Sequence, residues 1–484
     1  MPHRIDRPAG ISQRRSRLWT AGAAVLVLGL LAGTGAAGKS PKPGSSAPRE
    51  AVFLVVVDTL RADRLSSYGY TAHATPHIDA LAARGLRFDN AQAVASWTVP
   101  SMGALLTSRY PRQLGMLEST SRSKQNFQWH TLRAQLLWGL PRHVTTLAEQ
   151  MRERGFRTAA FVNQPALNAN TTFARGFDEY RYPVEGGEIR QLETGRKGVL
   201  QRWATTEHTA AADAGLVQAF GSWLEETGDQ RVFAWVHLLS PHVPYEAPAG
   251  FAVDSSEPSD RYDAEVRYVD SLVGKITDAI GRHAGWDRSL VVFVSDHGEE
   301  FGERGRHGHG HSLHREVTRV PLIVSAPGRL AAGVVHAPVR LVDVAPTILA
   351  LTSRSAIAPV GLEGVNLEHV ADRPALPVYV EGKLYGESER SLTQDGYKLI
   401  VSDGEKPSLL YQVERDPEEK HDVAASEAER VEEMQARIQT QRRRLQVEFI
   451  AARTAPAAAA APAPSELEER RTREALRALG YLDD

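Results

Sequence analysis

The chain has 484 residues, no cysteine, 42% hydrophobic and 24% charged residues, and a formal net charge of −2. That length suits one large α/β domain with additions. The missing cysteines exclude disulfides, thiolate nucleophiles, cysteine metal sites and a lipidated cysteine anchor, and a slightly acidic balance argues against nucleic acid as the partner.

At the N-terminus, Arg14, Arg15 and Arg17 precede an uncharged run from Leu18 to Ala37 that ends in small residues. A basic flank, an apolar run and a small-residue exit predict a secretory signal over residues 1–38, and the run is also long enough to stay as a membrane anchor. Positive charge before the run predicts that everything after it lies outside the cytoplasm, periplasmic, extracellular or tethered facing outward. Residues 39–50, KSPKPGSSAPRE, read as a solvated linker.

Next comes AVFLVVVDTL (51–60), a continuous apolar run rich in β-branched residues. It suits a strand buried on both faces of a parallel sheet. SLVVFVSDHGE (289–299) repeats the design, and RTAAFVN, RVFAWVHLL, VPLIVSAP and LPVYVEG read as further strands. Between them HIDALAARG, VTTLAEQMRERG and DAEVRYVDSLVGKITDAIGRH have helical patterning. The alternation predicts an α/β fold over residues 51–352, a large mostly parallel β-sheet sandwiched by helices. Ligands in such sheets gather where strands end. Shorter strands and turns over 353–425 predict a small C-terminal α+β subdomain. A charged helix (426–450), an Ala/Pro linker (451–464) and a last helix (465–484) follow.

Two strand ends carry the chemistry: Asp58 closes the first strand, and Asp296 with His297 closes a late one. Carboxylates and an imidazole suit a divalent cation such as Zn²⁺, Mn²⁺, Mg²⁺ or Ca²⁺. A single Asp after a strand is commonly a turn residue, but the Asp-His pair has no routine turn role. Downstream, His307, His309, His311 and His314 join His297, so five of the 17 histidines fall within 18 residues. A metal or anion site and a solvated loop both fit that cluster. In VHLLSPHVPY, His237 reads as a core histidine, whereas His242, held between prolines, is placed to contact substrate or metal.

Thr98, in SWTVPSMGALLTS, precedes Pro100, which suits the first turn of a helix. Alone it reads as an N-cap. Beside a cation held by Asp58, Asp296 and His297 it becomes a candidate nucleophile, with helix N–H groups ready to receive an anion.

Taken in order, VVVDTLRADRLSSYGY, SWTVPSMGALLTSRYP, VHLLSPHVPYEAP, SDHGEEFGERGRHGHGHSLHREVTRVPLIVSAPG and LLYQVERDPEEKHDVA closely resemble the sulfatase family of the alkaline phosphatase superfamily. The resemblance covers about residues 50–425, and LRALGYL resembles a common bacterial ending of the family. It implies metal ligation by Asp58, Asp296, His297 and Thr98, nucleophilic attack by Thr98, and catalytic or substrate-binding positions at His242 and His309, with His311 beside them. Arg61 joins this set as an anion-binding candidate, a structural ion pair being its alternative. The substrate implied is a small-molecule, glycan or lipid ester.

The departures are specific. The family has Cys or Ser in C/S-x-P-S-R and converts it to formylglycine; this chain has T-V-P-S-M, with Met102 at the arginine position. Threonine cannot become formylglycine, and relatives with threonine there are mostly phospho-enzymes. His314 and Arg315 replace the usual Tyr and acid. These features imply a metal-dependent hydrolase of sulfate or phosphate esters working through a covalent Thr98 intermediate. The alternatives are a membrane-tethered phospho-head-group transferase and a non-catalytic anion- or glycan-binding relative.

Overall fold

A computed structural model of the chain describes residues 50–116, 139–167, 172–183, 189–191, 209–352 and 361–454. The expected signal or anchor, nearly all of the linker after it, the final helix and most of the Ala/Pro segment lie outside these residues. Among the described residues no helix is long and apolar enough to cross a membrane.

A nine-stranded sheet organises the chain, in the order Gly333–Val335, Leu86–Phe88, Leu322–Ser325, Ser289–Ser295, Ala51–Val57, Val232–Leu238, Arg157–Val162, Glu179–Pro183 and Ile189–Gln191. Its centre is parallel: Ala51–Val57 pairs on one side with Val232–Leu238 and on the other with Ser289–Ser295. Leu322–Ser325 and Ile189–Gln191 pair antiparallel toward the edges. Glu179–Pro183 and Ile189–Gln191 supply the last two strands, Glu179–Pro183 pairing parallel with Arg157–Val162.

The unbroken apolar run of the first strand has a direct cause. Val52, Leu54 and Val56 pack on one face with Trp97, Val99, Met102 and Leu105. Phe53, Val55 and Val57 pack on the other with Phe220 and Trp223 of the helix Thr209–Thr227, and with Val269, Leu272 and Ile276 of the helix Pro258–His283. Side chains alternate across a strand, so a strand covered on both faces is apolar at every position. Each such burial contributes roughly 1.5–3 kcal/mol.

Residues 378–412 form a four-stranded antiparallel sheet, Val378–Glu381, Glu389–Gln394, Tyr397–Ser402 and Leu409–Gln412. The helix Ala428–Thr454 lies over it through Met434, Ile438 and Leu445, in a core that also takes in Val94, Ala104 and Tyr110. This helix runs past the expected end at residue 450, because alanine favours helix until proline intervenes. A buried ion pair, Arg112 with Glu381 at 2.8 Å, crosses the same junction.

Two buried acids make stability depend on pH. Burial, then the charge of Asp213, raises Glu265 from 4.5 to about 8, and burial raises Asp213 from 3.8 to about 6 despite its hydrogen bonds. Above the ordinary value of 4.5 the unfolded chain releases the Glu265 proton while the folded chain keeps it up to about 8. Stability contributed by this group is therefore complete at low pH and falls as pH rises through that window, by about 1.4 kcal/mol per pH unit. Glu265→Gln should flatten the decline, read as unfolding midpoints between pH 5 and pH 9; an unchanged slope would contradict this account.

Candidate active site

The parallel register builds the site. Val57 pairs with Ser295, so Asp58 and Asp296, one residue further along each strand, leave the sheet side by side. Thr59 adopts φ 54°, rare for a β-branched residue, and its N–H lies 3.3 Å from Asp296 Oδ1. Left-handed backbone at such a residue is strained and concentrates at functional positions. The N–H of His297 donates to the same oxygen at 2.9 Å.

The imidazole of His297 is oriented by its own loop. Its Nδ1 lies 3.0 Å from the Gly298 carbonyl oxygen, so Nδ1 carries the proton and Nε2 presents a lone pair. Nε2 is 3.6 Å from Asp58 Oδ1 and 3.4 Å from Asp296 Oδ2. Both carboxylate oxygens are buried and accept no hydrogen bond. The other oxygen of Asp58 accepts from Gln164 Nε2 at 2.6 Å and faces His237 Nε2 at 3.4 Å.

Asp58, Asp296 and His297 thus bring one donor atom each within 4.8 Å of one another, the one such group of three among the described residues. Buried polar atoms normally have partners, and two orphaned carboxylate oxygens facing one imidazole lone pair fit a divalent cation. Burial pushes Asp58 up, but its His237 hydrogen bond and the nearby imidazoles outweigh this and hold it below the ordinary range. Burial and then the Asp58 charge push Asp296 well above it.

Thr98 is the first residue of the helix Thr98–Thr107, whose N-cap is Trp97. Thr98 therefore does not hold the N-cap position the sequence offered it, and Trp97 there makes no side-chain cap hydrogen bond. Thr98 Oγ1 lies 3.2 Å from His297 Nε2 and is buried. Ser101, one turn on, donates to the Asp296 carbonyl at 2.6 Å, which pins the helix start to the strand end.

His242 and His309 are buried beside these groups, ring centroids 5.0 Å apart, with His309 4.5 Å from His297. Nδ1 of His242 donates to the Val243 carbonyl at 3.0 Å, and Nδ1 of His309 lies 3.0 Å from Glu299 Oε1. Burial lowers both imidazoles below their ordinary value. The His242 loop is clamped by Asp213, which accepts from Asn163 Nδ2 and from the N–H groups of Leu239 and Ser240 at 2.7–3.0 Å. His311 stands apart, stacked on Tyr385 at 4.7 Å.

Arg61, for which the sequence offers anion binding or a structural ion pair, takes the ion-pair role. Its buried guanidinium pairs with Asp63 and Glu303 and donates to the Glu299 carbonyl, so it braces the loop behind the site. Met102 lies wholly within the main core. His314 lies 3.3 Å from the Tyr411 hydroxyl, and Arg315 reaches Asp63 at 3.4 Å. Gln164, Glu299 and Asp213 were not singled out in the sequence. Gln164 at least follows a strand end, the signal that found Asp58; Asp213, inside a helix, has none.

The strand ends of this open α/β sheet gather two carboxylates and an imidazole that could hold a metal ion, beside a helix-borne hydroxyl, an arrangement suited to ester hydrolysis. Residues 50–354 match the family described as Sulfatase, and the chain belongs to that family. Arylsulfatase of Hemicentrotus pulcherrimus is 25% identical over 441 residues, covering 77% of each chain. Human arylsulfatase A is 25% identical over 365 residues, covering 65% of this chain and 66% of the relative. Among solved structures, Ps i-CgsB in complex with k-i-k-neocarrahexaose superposes with a TM-score of 0.63 at 21% identity, covering 84% of this chain and 98% of that one. The phosphonate monoester hydrolase of Agrobacterium radiobacter gives 0.62 at 20%, covering 84% and 96%. The chain is thus a sulfatase-like ester hydrolase.

Adding Mn²⁺ or Zn²⁺ to chelator-treated protein should raise its stability by about 2.7 kcal/mol at a hundredfold excess over Kd. Asp296→Asn should abolish that gain. Calorimetric unfolding with and without metal checks both, and a gain that survives Asp296→Asn would place the ion elsewhere.

Proposed function

We propose that the protein cleaves phosphate or sulfate monoesters or diesters, phosphorus being favoured, by direct attack of Thr98 at the central atom. One observation carries this: the Thr98 hydroxyl lies 3.2 Å from His297 Nε2, beside the orphaned oxygens of Asp58 and Asp296. A divalent cation held by Asp58, Asp296 and His297 would supply a Lewis acid that lowers the proton affinity of a neighbouring hydroxyl.

Thr98 Oγ1 loses its proton and forms a bond to phosphorus or sulfur, and the ester bond to the alcohol breaks. The alcohol departs with a proton, leaving the threonine esterified. His242 and His309, neutral when the site is empty, gain proton affinity as an anion arrives and offer N–H donors to its oxygens. Glu299 orients His309 through Nδ1. Water then attacks the central atom, releasing phosphate or sulfate from a monoester, or the remaining monoester from a diester, and restoring the Thr98 hydroxyl. Elimination from an aldehyde hydrate is closed to a threonine ester, so this second displacement is required. Phosphorus is favoured because an esterified hydroxyl turns over by attack of water at the central atom, which suits phosphoryl transfer.

On this reading the run Leu18–Ala37 carries the hydrolase out of the cytoplasm, and a tethered form would reach glycan or lipid esters at the cell surface. N-terminal sequencing of exported protein distinguishes a cleaved signal from an anchor.

Thr98→Ala should lower kcat on 4-nitrophenyl phosphate or 4-nitrophenyl sulfate by about 10³-fold or more, as loss of a covalent nucleophile does. Intact mass after a brief substrate pulse should show wild type, and not the variant, carrying one phosphoryl or sulfuryl group. Equal turnover by both proteins would end the covalent proposal.

A further inference from the structure

Beyond the two histidines, the loop that carries His309 continues to a second basic cavity that the chemistry above does not use. It has a volume of about 390 Å³ and is lined by Arg306, His307, His311, Lys383, Tyr385 and Lys406, within the usual range for small-molecule pockets. His307, on the same loop, is exposed, and Lys406 is exposed on the far wall.

The cavity is built rigidly onto the site. The N–H of Gly310 donates to the Ser96 carbonyl, two residues before Thr98, and the Gly310 carbonyl accepts from Leu384 and Tyr385, all at 2.9 Å. Gly310 has φ 76°, and a Cβ there would come within 2.9 Å of Leu384, so only glycine lets the two loops meet. His311 stacks on Tyr385, and Arg306 Nη1 holds the His311 carbonyl at 2.6 Å. His309 and His311 are two residues apart, so their Cα atoms are no more than about 7.6 Å from each other.

The charge is unbalanced. Glu389 meets Lys383 at 2.7 Å and Lys406 at 3.4 Å, one carboxylate between two ammonium groups. Glu300, itself buried, lies within electrostatic reach of Arg304 and Arg306. Three cations and two imidazoles line the cavity, with no acid among its described lining residues. Holding Lys383 at 2% exposure costs desolvation and side-chain entropy. The Lys383 ion pair with the buried Glu389 offsets that cost, which leaves Arg306, His307 and Lys406 as the cavity's more accessible positive groups.

We propose that this cavity is a second anion subsite, so that the preferred substrate carries another sulfate, phosphate or carboxylate about one sugar ring from the ester that is cleaved. The inference deepens the hydrolase reading and rests on it for the word substrate, but anion binding at the cavity is measured independently.

The probe is sucrose octasulfate, titrated calorimetrically at low salt into the full-length metal-loaded protein. Lys406→Glu and Arg306→Gln should each weaken binding about tenfold, as removal or reversal of a facing charge does. Lys275→Glu, an equal charge change on the exposed side of the helix Pro258–His283, should leave it unchanged, with unfolding midpoints confirming that every variant is folded. Thr98→Ala should bind the probe like wild type. Equal affinity across all variants, or equal weakening by Lys275→Glu, overturns the subsite. Selective binding with no Thr98-dependent turnover would sink the hydrolase reading and leave the subsite standing.

Discussion

The constraint on which the rest depends is the placing of two carboxylates side by side in a dry location. Asp58 and Asp296 arrive there because their strands are parallel neighbours in exact register, and both are wholly buried. Buried like charges are costly unless neutralised or hydrogen-bonded. The surroundings supply part of the compensation: Gln164 and His237 serve one oxygen of Asp58, and the backbone of Thr59 and His297 serves one oxygen of Asp296. One oxygen on each acid is left over, and those two face the His297 lone pair. The fold has stored a deficit of positive charge at one point, and the strained turn at Thr59 shows how firmly the surrounding packing enforces it.

The large features were legible because burial on both faces leaves a plain signature. Runs such as AVFLVVV and LVVFV have no polar alternation to confuse, and residues that interrupt them at the strand end have a reason to be there. Asp58, Asp296 and His297 were found on that ground. The residues that tune them were not. Gln164 and Glu299 are ordinary polar residues until the sheet brings them against Asp58 and His309, across 106 positions in the first case. Asp213 sits within a helix and faces inward to clamp a loop. Arg61 shows the converse: a guanidinium beside a site suggests an anion, but two acids in reach, Asp63 and Glu303, take it first.

Met102, His314 and Arg315, which depart from the family pattern, turn out to be packing residues. Met102 fills the main core. Burial, with Arg304 and Lys398 adding to it, holds His314 neutral against Tyr411 of the small sheet. Arg315 ties Asp63 to its own segment while its backbone N–H reaches Glu419. Two of the three therefore bind the catalytic sheet to the C-terminal subdomain.

That exchange bears on Thr98, the residue proposed above as nucleophile. The helix opened by Thr98 lies between two cores: Val99, Met102 and Leu105 face the main sheet, while Ala104 packs with Tyr379, Leu392 and Leu445 of the C-terminal unit. Catalytic groups act well only when held within a fraction of an ångström of the productive geometry, and a helix gripped from one side can rock. Here the second grip comes from the small sheet, reinforced by Arg112 with Glu381 and by the Ser96–Gly382 backbone contact just ahead of Thr98. A β-branched threonine adds its own stiffness, since its χ1 is restricted where serine's is not. The subdomain that contributes Lys383, Tyr385 and Lys406 to the basic cavity is therefore also one of the two grips on the Thr98 helix, so the anion binding and the threonine attack proposed above would depend on the same packing.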